Sequence, residues 1–223
     1  KFFFFFSHDL KSPFNSIVGL SDIIKTEAKN LVFSTIEQYA GIIHTTSSNT
    51  YRLLENLLDW ARLQRSQVLF RPVSVILKNL VNDVIEIMLE KANSKMIAVI
   101  SYIPDNLIVW ADEEMLKTIF RNLISNALKF TPGKGKVEIK STLMPGEIQI
   151  AVSDTGIGIT KDDIKKLFRI ESNVSKRGTQ NEQGTGLGLL ICKEFVEKHD
   201  GRIWIESEPR QGSNFMFTLK IKE

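Results

Sequence analysis

This chain of 223 residues is poor in cysteine: Cys192 is the only one. That excludes an intrachain disulfide framework and any cysteine-based metal cluster. Cys192 lies in an apolar helical stretch, so a buried, inert thiol is expected there. Long apolar runs are also missing. Phe2 to Phe6 is conspicuous, but a bilayer span takes about 20 apolar residues. No cleavage-site pattern follows it, so it does not read as a signal peptide. No sign of charge dominates, since 29 Lys and Arg against 26 Asp and Glu leave a formal net charge of +3. Those charges are spread along the chain, whereas a nucleic-acid binder concentrates a basic stripe; nucleic acid is not an expected partner. Internal repeats are absent. A starting methionine is absent too, and the chain reads as a piece of a longer protein cut just inside a helix. What is present is ordinary for a globular protein: 43% hydrophobic and 25% charged residues. That suffices for a core and allows one large domain or two small ones.

The apolar pattern divides the chain. Phe6, Leu10, Phe14, Ile17, Leu20 and Ile24 recur at helical steps, predicting one helix over residues 2 to about 28. Lys29-Asn30 breaks it. Ser34 or Thr35 is placed to cap a second helix reaching about Leu69, with Ile36, Tyr39, Ile43 and Thr46 on its stripe. Such a helix of about 35 residues is roughly 50 Å long. Two long amphipathic helices cannot enclose their own apolar stripes, so a dimeric four-helix bundle is expected. After Phe70-Arg71-Pro72 the pattern changes. Short strands are expected at 73–75, 97–102 and 107–110, with Pro104-Asp105-Asn106 as a turn. Hairpin-like pairs are expected at 137–143 with 147–153, and at 202–207 with 215–221. Helices are expected over 77–94, from an Asp112 cap to Phe130, over 160–168 and over 187–199. This is an α/β sandwich with helices segregated from a mixed sheet.

His8 is the residue with the most unusual setting. It stands in Ser7-His8-Asp9-Leu10-Lys11-Ser12-Pro13-Phe14. A neutral imidazole is a good nucleophile near neutral pH, and a neighbouring carboxylate can orient it and accept its proton. Pro13 removes a backbone donor from the carbonyl of Asp9, so the helix is expected to bend or loosen there.

Three clusters in the second half point to one ligand type. Asn122 and Asn126 share a helix face, with Lys129 and Phe130 following. Amides on the apolar side of a helix are costly unless they bind something. An amide oxygen suits Mg2+, and a lysine suits phosphate. Asp154-Thr155-Gly156-Ile157-Gly158 ends a strand with a carboxylate able to accept from an exocyclic amine such as that of adenine. Gly184-Thr185-Gly186-Leu187-Gly188 precedes a helix, where free amides and the positive dipole end favour phosphate. It is not the six-residue dinucleotide pattern, and no Gly-Lys-Ser/Thr follows to make a P-loop. Between the last two clusters, 170–183 is patternless. That length suggests a lid, with Lys176 or Arg177 near the phosphates.

Taken in this order, the clusters give a chain that resembles the catalytic core of a sensor histidine kinase over essentially its whole length. Ser7–Phe14 resembles the phospho-acceptor motif, Asn122–Phe130 the asparagine motif, and the two glycine clusters the family's glycine motifs. Phe168 fits the phenylalanine motif, although Ile170-Glu171 stands where a second aromatic is expected. The octapeptide is most similar to those of hybrid sensors. The resemblance implies a dimerisation and phospho-acceptor hairpin over 1–69, a linker at 70–75 and an ATP-binding domain over 76–223. It implies ATP and Mg2+ as cofactors, Asn126 as the Mg2+ ligand supported by Asn122, and Lys129 with the Gly184–Gly188 backbone on the phosphates. Asp154 would read adenine, His8 would be phosphorylated, and Asp9 would orient it and act as base. Ser12 would position water for dephosphorylating a partner; it keeps a hydroxyl but lacks the methyl that restricts a threonine rotamer. The implied partners are a second copy of the chain and a response-regulator receiver domain. The expected location is the cytoplasmic portion of a longer sensor, without direct membrane contact in this piece. Two rivals share the nucleotide signature. One is a clamp ATPase of the topoisomerase and mismatch-repair type, which the His8 octapeptide disfavours. The other is a dimeric scaffold with a vestigial site, which the intact asparagines, Asp154 and glycines disfavour.

Overall fold

The computed structural model describes residues 2–29, 33–64, 69–168, 177–180, 182 and 186–221; the side chains of residues 2–11 and of several α2 positions are outside that description. Two compact units result, Lys1–Ala61 and Arg62–Glu223.

The first unit is a helical hairpin. Helix α1 spans Phe2–Lys29 and α2 spans Phe33–Gln64. Helix α1 runs without interruption through Pro13, so the expected loosening does not break the helix. Ser16 and Ser21 turn their hydroxyls back onto the Ser12 and Ile17 carbonyls. Ile17, Leu20 and Ile24 of α1 and Ile36, Tyr39, Ile43 and Thr46 of α2 are half-buried, as their spacing implies. Phe14, on the same expected stripe, is instead exposed, as are Val18, Ile42, Tyr51, Leu54 and Leu58. Two expectations need correction. Ser34 and Thr35 lie inside α2, which begins at Phe33, and Leu69 is not helical. A capping side chain serves the free amides just ahead of a helix, and with the helix starting at Phe33 both residues already lie in its first turn.

The second unit is a two-layer sandwich. Strands β1 (Val73–Ile76) and β3 (Ile108–Ala111) form an antiparallel ribbon. Thus Val73 to Val75, at the end of the expected linker, are taken into a strand. A five-stranded sheet has the order β2-β4-β5-β7-β6, from β2 (Ala98–Tyr102), β4 (Lys136–Met144), β5 (Glu147–Asp154), β6 (Ile203–Ser207) and β7 (Ser213–Lys220). Strands β2 and β4 are parallel and the other pairs antiparallel, so the sheet is mixed. Three longer helices complete the layer: α3 (Leu77–Ser94), α4 (Glu113–Phe130) and α6 (Gly188–Lys198). A single turn, α5, covers Lys161–Ile164, shorter than expected.

The 104–106 turn does not join a hairpin. Strand β2 pairs with β4, while β3 pairs with β1 in another sheet. The turn is committed elsewhere: the Leu107 carbonyl accepts from Leu77 N–H at 2.9 Å, at the start of α3.

Helix α4 is the element on which the second unit is organised. Asp112 accepts from Met115 N–H at its start, Glu113 and Glu114 occupy its first turn, and Lys129 its last. Each charge complements the helix dipole. Met115, Leu116, Ile119, Phe120, Leu123, Ile124, Ala127 and Leu128 are buried, a stripe at three- and four-residue steps facing the sheet. Each large apolar side chain removed from water there contributes about 1.5–3 kcal/mol. Phe120 meets Phe217 of β7 edge-on at 5.6 Å. Cys192 is buried against α4, its Sγ 3.9 Å from the Ile119 carbonyl. Burial raises its thiol far above the ordinary range, which makes it inert.

The segment entering the sandwich is pinned at the same end. Arg71 N–H donates to Asp112 Oδ2 at 2.9 Å, and Asp112 N–H donates to His199 Nε2 at 3.0 Å. His199 Nδ1 must then carry the proton, which it gives to the Phe195 carbonyl at 2.7 Å. Burial holds this imidazole below its usual pKa, consistent with the neutral tautomer that both bonds require. The Phe70 ring stands edge-on to it at 4.9 Å.

Candidate active site

Strand β5 alternates half-buried and buried positions, with Ile148, Ile150, Val152 and Asp154 facing inward. The last of these is a carboxylate on an apolar face. Asp154 is 7% exposed. Its Oδ1 accepts from Gly156 N–H at 2.8 Å. Burial pushes its pKa up to about 6, against the opposing pull of the Gly156 and Ser213 amides. No cation is paired with it among the described residues. A buried carboxylate held this way is prepared for one further donor.

The loop after Asp154 folds onto the end of α4. Ile157 N–H donates to the Phe130 carbonyl at 3.1 Å. A Cβ on Gly156 would stand 2.5 Å from Asp154 Oδ1 and 2.6 Å from the Phe130 carbonyl; only glycine fits. Gly158 has φ +68, and a Cβ there would meet the Glu208 carbonyl at 1.9 Å. The turn after β6 thus buttresses the loop. Arg210 N–H donates to the Ile157 carbonyl at 2.7 Å, and Ser207 Oγ accepts from Ile159 N–H at 2.9 Å while donating to the Gly212 carbonyl.

Gly158→Ala is expected to destabilise the fold by more than about 2 kcal/mol, from a positive φ and a steric clash together. Gly146 provides the contrast, with φ +75 but nothing within 4 Å of where a Cβ would stand. Gly146→Ala should cost only about 1 kcal/mol. Urea unfolding of both variants checks this; equal losses would remove the packing role assigned to the β6–β7 turn.

Helix α4 supplies the asparagines. Asn122 is half-buried and its Nδ2 donates to the Thr118 carbonyl at 3.0 Å. Its Oδ1 lies where a Cβ on Gly188 would be only 2.5 Å away, so the start of α6 abuts it. Asn126 is half-buried, and among the described residues its side chain has no hydrogen-bond partner. One helical turn separates the two on the same face. Lys129 is 7% exposed, with Nζ 4.7 Å from the Phe130 ring centroid. Gly186 has φ +72, Leu187 is buried at the N-cap of α6, and Gly188 is the first helical residue. A leucine cannot cap through its side chain, so the helix start offers its backbone amides and dipole to an anion.

Several expected residues fall outside this geometry. Lys176, Gly184 and Thr185 lie outside the described residues, as do the side chains of His8 and Asp9, whose helix backbone is described. Arg177 and Ser12 are exposed. Other contributors had no legible sequence signal. Ser207 and Gly212 support the first glycine loop, and Ser213 supports Asp154. Lys95 is buried behind the end of α4, with Nζ 2.7 Å from the Leu128 carbonyl. Each acts through a contact between segments remote in sequence, which a local pattern does not encode.

The residues brought together fit the groups expected of them. The Asp154 carboxylate suits an amine donor, the Asn126 amide oxygen suits a hard cation, and the α6 start suits phosphate. The class so defined is an adenine-nucleotide-binding α/β sandwich following a helical hairpin. Residues 111–223 match the family described as Histidine kinase-, DNA gyrase B-, and HSP90-like ATPase, and the chain belongs to that family.

Relatives that it matches over nearly its full length include sensor histidine kinases. It is 29% identical over 223 residues to the adaptive-response sensory kinase SasA of Synechococcus elongatus, covering 96% of this chain and 57% of that one. It is 30% identical over 223 residues to the sensor protein GacS of Pseudomonas syringae pv. syringae, covering 96% of this chain and 24% of that one. The catalytic domain of histidine kinase ThkA is 29% identical with a TM-score of 0.58, covering 67% of this chain and 95% of that domain. ThkA in complex with the response regulator TrrA, at 23% identity, shares the fold over 97% of this chain and 60% of that one, with a TM-score of 0.73. The chain thus spans between about a quarter and three-fifths of the length of these curated relatives.

Proposed function

We propose that this chain is the kinase core of a two-component sensor, which transfers the γ-phosphoryl group of Mg-ATP to His8. The observation that carries the reading is convergence on one helix end. The first glycine loop bonds to Phe130, the start of α6 abuts Asn122, and Asn126 and Lys129 lie between them on α4.

In this reading Asp154 accepts a hydrogen bond from the adenine amine, and Phe130 borders the nucleotide. Asn126, with Asn122 beside it, holds Mg2+. Lys129, the Gly184–Gly188 backbone, and Lys176 or Arg177 hold phosphate oxygens. The metal neutralises charge on the transferred group when bound. The unprotonated ring nitrogen of His8 attacks the γ-phosphorus, the bond to the β,γ-bridging oxygen breaks, and ADP leaves with that oxygen. Asp9 orients the imidazole and takes the proton that its other nitrogen gives up. This is catalysis by positioning and charge neutralisation. The phosphoryl group then passes to a receiver-domain aspartate, the relation that the ThkA–TrrA complex suggests. Ser12, exposed one turn after His8, would orient water for dephosphorylating the receiver.

The acceptor unit, residues 1–69 in this reading, pairs with a second copy. The support is its exposed Phe14, Val18, Ile42, Tyr51, Leu54 and Leu58, an apolar face that one hairpin leaves uncovered. The chain is proposed to be the cytoplasmic portion of a longer sensor. Among the described residues no helix is long and apolar enough to cross a membrane.

Asp154 tests the nucleotide half through a trade-off. Its folded-state pKa is raised, so its protonated form stabilises the fold below the unfolded value of 3.8, and that contribution is lost as pH rises through about 6. At neutral pH the ionised form is therefore a burden of about 3 kcal/mol at most, from the 3.8-to-6 rise. Asp154→Asn should be more stable than wild type near neutral pH, with the gain fading as pH falls toward 4. The same variant should lose adenine-nucleotide affinity. Wild-type affinity should be level above pH 6 and fall about tenfold per unit below it, as the acceptor becomes protonated. Calorimetric titration with ADP across pH checks both signs; unchanged affinity in Asp154→Asn would remove the adenine contact.

A further inference from the structure

Lys95 follows α3, where a lysine ordinarily points to water and the helix carbonyls. Here it is 2% exposed. An ammonium has three hydrogens to donate. The Leu128 carbonyl lies at 2.7 Å, the Thr179 hydroxyl at 2.6 Å and Glu182 Oε1 at 3.2 Å, with the Lys129 carbonyl at 3.3 Å. Burying such a charge is costly unless its partners are all in place.

Those partners come from two sides. Leu128 and Lys129 form the last turn of α4, whose carbonyls lack intrahelical donors and carry the negative dipole end. Asn126 and the Lys129 side chain project from the same turns. Thr179 and Glu182 belong to a short turn that precedes Gly186 in the chain. Gly178 N–H donates to the Glu182 carbonyl at 2.9 Å, and Glu182 Oε2 accepts from Gln180 N–H at 2.7 Å. Thr179 N–H donates to the Lys129 carbonyl at 3.0 Å. A Cβ on Gly178 would stand 2.5 Å from Lys129 Cγ, so the turn is packed directly on that lysine. Burial pushes Glu182 up, but the Gln180 amide, its own backbone amide and the Lys95 ammonium together outweigh this and hold it below the usual range.

We propose that Lys95 is a positioning residue for Mg-ATP: it holds Thr179 and Glu182 on the end of α4 and so fixes Gly178 against the Lys129 side chain. The inference rests on the nucleotide reading above. A lysine that merely capped α4 would need only the carbonyls; the carboxylate and the hydroxyl from the other segment are what a cap does not require.

The test uses the full chain, Mg-ATP titration calorimetry and amide hydrogen exchange. Glu182→Gln leaves the α4 carbonyls bonded to Lys95 while weakening the charged tie to the turn and leaving one acceptor oxygen where the carboxylate had two. It is expected to raise the Kd for Mg-ATP about tenfold, the scale of one charge-assisted hydrogen bond lost. The unfolding midpoint should fall, because the buried ammonium loses its carboxylate, and exchange at the Thr179 amide should rise while that of Leu123 and Ile124 does not. Lys95→Met is expected to weaken binding at least as much, and Lys95→Arg, which keeps the charge and several donors, to restore part of it. Glu182→Gln keeps the question decidable if Lys95→Met does not fold. Wild-type affinity and Thr179 protection in Glu182→Gln would overturn the positioning role alone. Failure of the wild-type chain to bind Mg-ATP would overturn the nucleotide reading, and this role with it.

Discussion

Asn126→Ala is expected to lower phosphoryl incorporation from Mg-ATP by about a hundredfold or more, the scale of losing a charge-stabilising ligand from a transfer site. The physical case is specific to this residue. Asn126 is half-buried on α4, and among the described residues its amide bonds to nothing. Asn122, four residues earlier, is already engaged by the Thr118 carbonyl and abuts Gly188. The two amides therefore differ in duty. Asn122 fits helix to helix, and in the proposed reading Asn126 is the amide that meets the ligand. Removing a side chain that makes no hydrogen bond among the described residues should change stability by no more than about 0.5 kcal/mol. The expected pattern is thus lost incorporation with an unmoved urea unfolding curve. Normal incorporation by Asn126→Ala would remove the metal assignment, whereas a collapsed unfolding curve would show a structural duty instead.

His8→Gln is expected to abolish incorporation altogether while leaving nucleotide affinity intact. Glutamine preserves length, helix propensity and hydrogen-bonding capacity, but its amide nitrogen is not a nucleophile. The loss should be complete because no other group substitutes for the atom that becomes bonded to phosphorus. Affinity should not change because Asp154, Asn126 and the α6 start all belong to the other compact unit. Filter assay of labelled protein and calorimetry with ADP separate the two quantities. Residual incorporation near the wild-type level would move the acceptor to another residue. Loss of nucleotide affinity would show that His8 contributes to binding.

The parts of the fold legible in the sequence were those whose signal is local. Asp112 with its following acidic pair, and the apolar steps from Met115 to Leu128, define α4 in any context. Pro145-Gly146 between two alternating runs defines the β4–β5 hairpin, and the left-handed Gly146 supplies the turn. The strand pairing of β2 and β3 was not legible. Two alternating runs around Pro104-Asp105-Asn106 look like a hairpin, yet the choice of partner is made by α3, whose Leu77 amide takes the Leu107 carbonyl. The site divides in the same way. Asp154 stood out because a carboxylate ends a strand directly before two closely spaced glycines. Lys95 did not, because lysine after a helix is commonplace and its partners lie 33 to 87 residues away. Ser207 was hidden for the same reason, since it supports Ile159 across 48 residues.

The central claim is that the phosphoryl group of ATP comes to rest on His8. Incubation of the chain with γ-labelled Mg-ATP, followed by mass-spectrometric mapping at alkaline pH, tests it directly. The expected result is a single phosphoryl group on the peptide containing Ser7-His8-Asp9, stable to alkali and lost in mild acid. An acid-stable phosphate on serine or threonine, or steady release of inorganic phosphate with no phosphoprotein formed, would contradict it.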